Sequence, residues 1–416
     1  MRKLTIAERR LMIFKRKEKK LTVEQLSEEL HMSKSNLSRI ENGKIMASDE
    51  NRGIIEDRFS ICFSIEDNLV EKFESFTKEN LDRLIYYKLF GEYSRQEFDI
   101  TGIQFEKSIL YPPYMLLKLF IFSTKNIEEK FVNKYLPIFG GLINLFDQDF
   151  QKLYYISSIN CLYFDKNYDK ALILCEYVES NFVKDRLLDS YLYHIKSMIY
   201  ICLGNQPLAM KTINYAISLS TSLANAPRLI ALNILKANSL RLSGKCQEAL
   251  LEDHKNFEYA NKMNIHFYDY TIYSNTGWSY YLLNDYENAI KYYKKAENID
   301  IDDDICFMTA LCSYRLGLRS QCKEYLTKGR RARNVGLAFP YLIDWLELTL
   351  NKKYSVKAEK RLLYCLKKYE NIMHFDSRNN IYKLLIEHYH YHQEYKKEAY
   401  YQEKLNISYR KLKEGY

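Results

Sequence analysis

Glycine and proline are scarce. Thirteen glycines and six prolines among 416 residues are less than half of average usage, which is about 12% for the pair. So few chain breakers exclude a turn-rich β-sandwich and a low-complexity or disordered chain. Long apolar runs are missing as well. The most apolar stretch, Ile109 to Phe122, is interrupted by Pro112, Pro113 and Lys118. It is too short for a membrane span, which needs about 20 residues. The basic N-terminus has no apolar segment behind it, which reads as no signal peptide. The nine cysteines are odd in number and form no C-x-x-C. Reduced thiols in a cytoplasmic protein are expected rather than a disulfide framework. No G-x-x-x-x-G-K-[ST], G-x-S-x-G or H-E-x-x-H occurs, so neither catalysis nor a cofactor is expected. The run His388 to His392 places two histidines on one helix face, but no third metal ligand is evident,.

What the chain has in excess is aromatic area, with 38 tyrosines and 21 phenylalanines. That much area can build a long interior, and the length suggests two or three units. Charge is concentrated at one end. Residues 1–44 carry twelve Lys and Arg against six acids, a net +6 out of +9 for the whole chain. A basic head on a nearly balanced body points to a polyanion partner at that end.

The head reads as a helix-turn-helix. Thr22 and Gln25 form a capping box, so a helix begins near Val23, with Leu26 and Leu30 on its buried face,. His31, Met32 and Ser33 make a tight turn. Ser33 then caps a second helix, Lys34 to Asn42, whose inner face carries Leu37 and Ile40; Ser27 keeps the first helix small where the second crosses it,. The stretch Leu21 to Lys44, closing on I-E-N-G-K, resembles the Cro/phage-repressor (XRE) family, with Arg2 to Ser60 as a five-helix unit. Two positions depart from that family. His31 replaces the usual turn glycine and must accept a left-handed backbone. Val23 replaces a glutamine that often contacts the DNA backbone. The resemblance implies that the outer face of the second helix, Lys34, Ser35, Ser38 and Arg39, enters the major groove. Arg39 and Lys34 are candidates for guanine edges. Asn42 and Lys44 are candidates for the phosphate backbone.

The body reads as a helical repeat array. N-Y-D-K-A-L at Asn167, K-C-Q-E-A-L at Lys245 and D-Y-E-N-A-I at Asp285 are copies of one signature. Its small residues are Ala171, Ala209, Ala249, Ala289, Cys322, Ala358 and Ala399, spaced 38, 40, 40, 33, 36 and 41 apart,. Twelve residues before four of them stand Ser197, Ala237, Gly277 and Ala310. Paired small residues let the two helices of a hairpin touch closely. The unit resembles the tetratricopeptide repeat (TPR), best copied at Asn284 to Ala296. The expected fold is all-α: an N-terminal five-helix helix-turn-helix domain, residues 1–65, diverged helical hairpins over 66–150, and a right-handed TPR-like α-solenoid over 151–416. The resemblance implies a concave groove for an extended peptide. Its lining would be Asn160, Tyr163, Tyr191, His194, Met198, Asn238, Arg241, Asn275, Trp278 and Tyr281. An asparagine amide pairs with both polar groups of a bound backbone.

Head and body together resemble the RRNPP family of Rgg, PlcR and PrgX type. That resemblance implies a cytoplasmic quorum-sensing regulator: a homodimer on a double-stranded DNA operator, switched by a short signalling peptide. Two other readings stay open. The body could dock another protein, an antirepressor or a polymerase subunit, or it could be a scaffold with a vestigial head.

Overall fold

The computed structural model describes residues 2–87, 102–123, 128–370, 373 and 375–414. Among the described residues there are 21 α-helices and no strand. None of these helices is long and apolar enough to cross a membrane. The chain divides into two compact units, Met1–Leu192 and Tyr193–Tyr416. The boundaries expected at 65 and 150 both lie inside the first.

The first unit opens with α1 (Ile6–Glu18), α2 (Val23–Glu29), α3 (Lys34–Glu41) and α4 (Asp49–Phe59). Each starts on a hydroxyl cap: Thr5, Thr22, Ser33 and Ser48 accept from the backbone N–H three residues on. Such caps are each worth about 1 kcal/mol. Four helices thus lie within Arg2–Ser60, and a fifth, α5 (Asp67–Tyr87), begins only past residue 65. Leu26, Leu30, Leu37 and Ile40 are buried as their spacing requires, and so is Ser27. His31 has φ +52°, the left-handed backbone its position in the turn imposes.

Then come α6 (Tyr111–Ser123), α7 (Glu129–Gly140), α8 (Gln148–Phe164) and α9 (Tyr168–Asn181). All thirteen residues of α6 are buried. The most apolar stretch of the sequence is therefore an interior helix, covered on every side. Even Lys118 lies with its ammonium 5.4 Å from the centre of the Phe122 ring and 5.2 Å from that of Phe131, where the ring faces offset part of its lost hydration.

Helix α10 (Arg186–Leu203) leads into the second unit. There α11 (Gln206–Ser222), α12 (Ala226–Leu242), α13 (Cys246–Lys262), α14 (Asp269–Leu282) and α15 (Tyr286–Glu297) follow. The last six are α16 (Asp303–Arg315), α17 (Arg319–Gly329), α18 (Phe339–Asn351), α19 (Val356–Tyr369), α20 (Phe375–Tyr391) and α21 (Tyr395–Glu414). In order from α10 to α21 the helices pair as six hairpins, and α8 with α9 makes a seventh. The signature's small residues sit where the hairpin helices touch. Ala171, Ala209, Ala249, Ala289, Cys322 and Ala358 are all fully buried. Ala399 is exposed, so the seventh copy keeps the spacing without the packing.

Each hairpin turn holds one left-handed residue: Lys166, Gly204, Gly244, Asn284, Gly317, Tyr354 and Gln393. Only three are glycine. The low glycine count is thus met by letting four other residues carry a backbone that costs roughly 1–2 kcal/mol each.

Candidate functional site

The second helix of the helix-turn-helix ends in a glycine cap. The Gly43 N–H donates to the Ile40 carbonyl at 2.9 Å and the Lys44 N–H to the Arg39 carbonyl at 2.8 Å. Gly43 sits at φ +66°, and a Cβ there would stand 2.8 Å from Arg9 Nη1. The N-G-K ending therefore has a mechanism: glycine takes the left-handed turn without strain, and a side chain there would push the Arg9 guanidinium aside,. Beneath the helix, Arg16 donates from Nε to Glu41 Oε1 at 2.7 Å and from Nη2 to Oε2 at 2.9 Å. Its Nη1 reaches the Leu21 carbonyl at 3.0 Å. This buried fork ties α3 and the start of α2 to α1, and removing one side costs about 3–5 kcal/mol. The sequence reading missed it, although Glu41 falls on the stripe of Leu37 and Ile40.

On the outer face, Lys34, Ser35 and Arg39 are exposed and Ser38 is half-buried. Lys34 pairs with Glu24 at 3.2 Å, both side chains being about 60% exposed; such a pair is weak and readily exchanged for another anion. Lys44 is exposed. Asn42 is exposed too, but its Nδ2 donates to the Ser38 carbonyl at 2.8 Å, so the amide already closes its own helix. The structure thus brings all six candidate DNA residues onto one helix and its cap.

The candidate groove residues divide. Four are interior side chains, against expectation: Asn160, Tyr191, His194 and Arg241. Asn160 is 3% exposed, donates to Ser123 Oγ at 3.2 Å and accepts from the Tyr191 hydroxyl at 3.4 Å. His194 is buried beside Arg228 Nη1 at 3.3 Å. The Arg241 side chain is wholly buried, ion-paired with Asp253 and hydrogen-bonded to Ser279 Oγ at 2.8 Å. Burial pushes the Asp253 carboxyl up against the pull of Arg241. The physical reason is common to all four. Helix periodicity gives a face, but the neighbouring hairpin covers part of that face with partners the sequence does not display. Asn238 is half-buried, with its Oδ1 held by Arg241 Nη2.

The others remain nearer the surface. Tyr163 is half-buried among Phe164 and Tyr168, and Met198 is half-buried on α10. Asn275, Trp278 and Tyr281 lie on α14 and are half-buried. The Asn275 Nδ2 donor has no hydrogen-bond partner. The Trp278 ring has the Arg241 guanidinium 5.5 Å from its centre and joins an apolar cluster with Ile201, Leu235, Leu242 and Tyr409. Burial pushes the Tyr281 phenol far up. Tyr409, from the last helix, was not foreseen; nothing in a local window brings residue 409 to residue 278. Among the described residues no cluster of three His, Cys, Asp or Glu side chains could hold a metal ion. His388 is packed between Tyr354, Tyr389 and His392.

Comparison with known proteins agrees with both halves. The Helix-turn-helix family pattern matches residues 14–57, and the Tetratricopeptide repeat pattern matches residues 270–303. No curated protein sequence matches the chain. Among solved structures, a Rap protein complexed with competence and sporulation factor is 14% identical over 82% of this chain and 99% of its own, with a TM-score of 0.67. The apo quorum sensor NprR from B. thuringiensis is 17% identical over 82% and 99%, with a TM-score of 0.61. NprR in complex with its cognate peptide NprX is 18% identical over 77% and 99%, with a TM-score of 0.54. The chain therefore carries a helix-turn-helix in its head and a tetratricopeptide repeat in its body, and it has the fold of the Rap and NprR structures.

Proposed function

We propose that this chain is a cytoplasmic transcription regulator whose head reads an operator as a homodimer and whose repeat groove binds a short signalling peptide that changes operator affinity. The observation that carries the DNA half is the α3 surface. Lys34, Ser35 and Arg39 stand exposed on a helix whose other side is fixed by the Arg16–Glu41 fork. Arg39 would supply the bidentate contact to a guanine edge, and Lys44 a phosphate contact that sets register without reading sequence. A single head buries little area on DNA, so two heads on two half-sites are needed for specific affinity. The dimer contact is assigned to the C-terminal repeats.

The peptide half is supported by the fold shared with a Rap protein solved with competence and sporulation factor and with NprR solved with NprX. Within this chain it rests on Asn275, whose Nδ2 lacks a partner beside Trp278 and Tyr281. A modest turn about the soft amide torsion would offer that donor to a backbone carbonyl. A peptide that fits one packing of the repeats better shifts the population toward it.

The test is anisotropy of a labelled duplex selected from a random library, with and without a panel of short hydrophobic peptides. Arg39→Ala is expected to weaken the selected duplex by about 1–3 kcal/mol, and Lys44→Ala to weaken all duplexes about equally. Asn275→Ala is expected to leave basal DNA binding intact and to lose the response to peptide. DNA binding with no response to any peptide would favour a body that docks another protein. No DNA binding at all would leave a scaffold.

A further inference from the structure

Helix α1 has two working faces, and only one belongs to the head. It packs on α3 and α4, and also on α6 and α7. Residues Arg10, Phe14 and Glu18 recur every fourth position on the second face, with Lys15 beside them. The Phe14 ring is fully buried, 5.5 Å from Tyr111, 6.0 Å from Tyr135 and 5.3 Å from Phe139, centre to centre. Glu18 Oε1 accepts from the Tyr135 hydroxyl at 2.7 Å and from the Tyr111 hydroxyl at 3.3 Å. The Lys15 ammonium stands 3.9 Å from the centre of the Tyr111 ring. Arg10 donates to the Leu145 carbonyl at 3.3 Å and lies 4.5 Å from the centre of the Phe146 ring.

The connection between α4 and α5 is no hinge either. Residues Ser60 to Glu66 contain neither glycine nor proline. Ile61 and Phe63 are buried, and the Cys62 N–H donates to the Lys107 carbonyl at 2.7 Å. Independent domains are joined by exposed, polar linkers crossed by few contacts; this connection has the opposite character. Close-packed interiors switch between discrete arrangements and do not bend gradually.

We propose that the DNA-reading head is welded through α1 to α6, to α7 and to Leu145 and Phe146, and that Phe14 and Glu18 are positioning residues which thereby fix the half-site spacing the protein accepts. Arg16, on the head side of the same helix, passes that orientation to α3 through Glu41. The spacing half of the proposal rests on the operator reading above; the weld itself does not.

Two measurements on the full chain test it. Spin labels at Glu28→Cys and Asn133→Cys, both exposed positions, are placed in a background with the exposed Cys62 changed to Ser. The parent is expected to give one narrow distance distribution and Phe14→Ala a broad one. A broad parent, or a Phe14→Ala variant as narrow as the parent, overturns the weld. Should Phe14→Ala lower the helix content, the double change Tyr111→Phe, Tyr135→Phe keeps every ring and takes its place with the same expectation. The second measurement uses duplexes with the half-site spacing lengthened by a base pair. The parent is expected to lose about tenfold in affinity and the loosened variant less than about threefold, with single half-site affinity unchanged. Equal discrimination by both proteins overturns the positioning role. A parent that binds no duplex refutes the operator reading, while the distance measurement still decides the weld.

Discussion

Single residues carry much of the head's stability, and two of them make direct tests. His31 occupies a left-handed turn at φ +52° with its side chain exposed. A non-glycine residue there costs roughly 1–2 kcal/mol, of which glycine returns part to the entropy of the unfolded chain. His31→Gly is therefore expected to raise the opening free energy of the head amides by about 0.5–1 kcal/mol in native-state hydrogen exchange. No gain would mean that the turn is held by its neighbours regardless of strain. Glu8 gives the second test. It closes the first turn of its own helix on the Thr5 N–H at 2.7 Å and pairs with Arg2 and Arg52. Burial alone would push its carboxyl up; the hydrogen bonds from Arg2 and Thr5 and the two guanidinium charges outweigh it and hold the group below the usual carboxylate range. A depressed carboxyl contributes stability that is fully present above the ordinary carboxylate pKa and is lost as pH falls through the depressed one. Thermal melts across that acid range are expected to show a steeper decline for the parent than for Glu8→Gln. Parallel declines would remove Glu8 from the acid response.

At the scale of elements, helix pairs are held by small residues facing large ones. Gly277 in α14 faces the fully buried Tyr293 of α15, and a Cβ on Gly277 would stand 2.7 Å from the ring. Alanine is the better helix former by about 1 kcal/mol, yet the ring has nowhere to go. Gly277→Ala is expected to destabilise the second unit by about 1–3 kcal/mol, as overpacked cores do. A denaturant midpoint that rises would show that the hairpin relaxes and that propensity wins. The same packing explains why hairpins were legible in the sequence. A small residue recurs once in each hairpin because close helix contact leaves little room for a larger one, and Ala171, Ala209, Ala249, Ala289, Cys322 and Ala358 are all buried. The surroundings of the candidate groove residues were less legible. Asn160 and Arg241 occupy the helix positions expected of groove residues, but Ser123 and Asp253 meet them from other helices. Asn238 is expected to line the groove; because Arg241 leans on it, Asn275 is the cleaner test of the peptide reading.

For the molecule as a whole, the C-terminal hairpins are part of one interior. Leu342, Trp345 and Leu346 of α18 share a buried cluster with Leu362 of α19, Leu385 and Tyr389 of α20 and Leu405 of α21. Ending the chain after Asn351 would uncover the first three. That truncation is expected to strip hydrogen-exchange protection from α16 and α18 as well as removing the helices beyond them, because repeats are stabilised by nearest neighbours. Unchanged protection in α16 would mean that the array is less cooperative than its packing. The proposed dimer is for this reason better tested with a change at an exposed tyrosine such as Tyr400→Glu, followed by light scattering, which leaves that interior closed.

The sequence by itself determined whatever depends on near neighbours. The caps at Thr22 and Ser33, the left-handed His31, the glycine after α3 and the recurring hairpins are local, since backbone geometry and helix period act within a few residues. From these follow the all-helical class, the exposed outer face of α3 and the repeat body. Tertiary structure alone decided what meets what across long stretches of chain. It buried Arg16 against Glu41, seated Tyr409 on the cluster of Trp278, drew Arg241 inward to Asp253 and set Phe14 and Glu18 against Tyr111 and Tyr135. Such pairings carry no spacing rule, because two helices meet through the shape and polarity of whole faces, and either partner by itself reads as an ordinary position on its own helix.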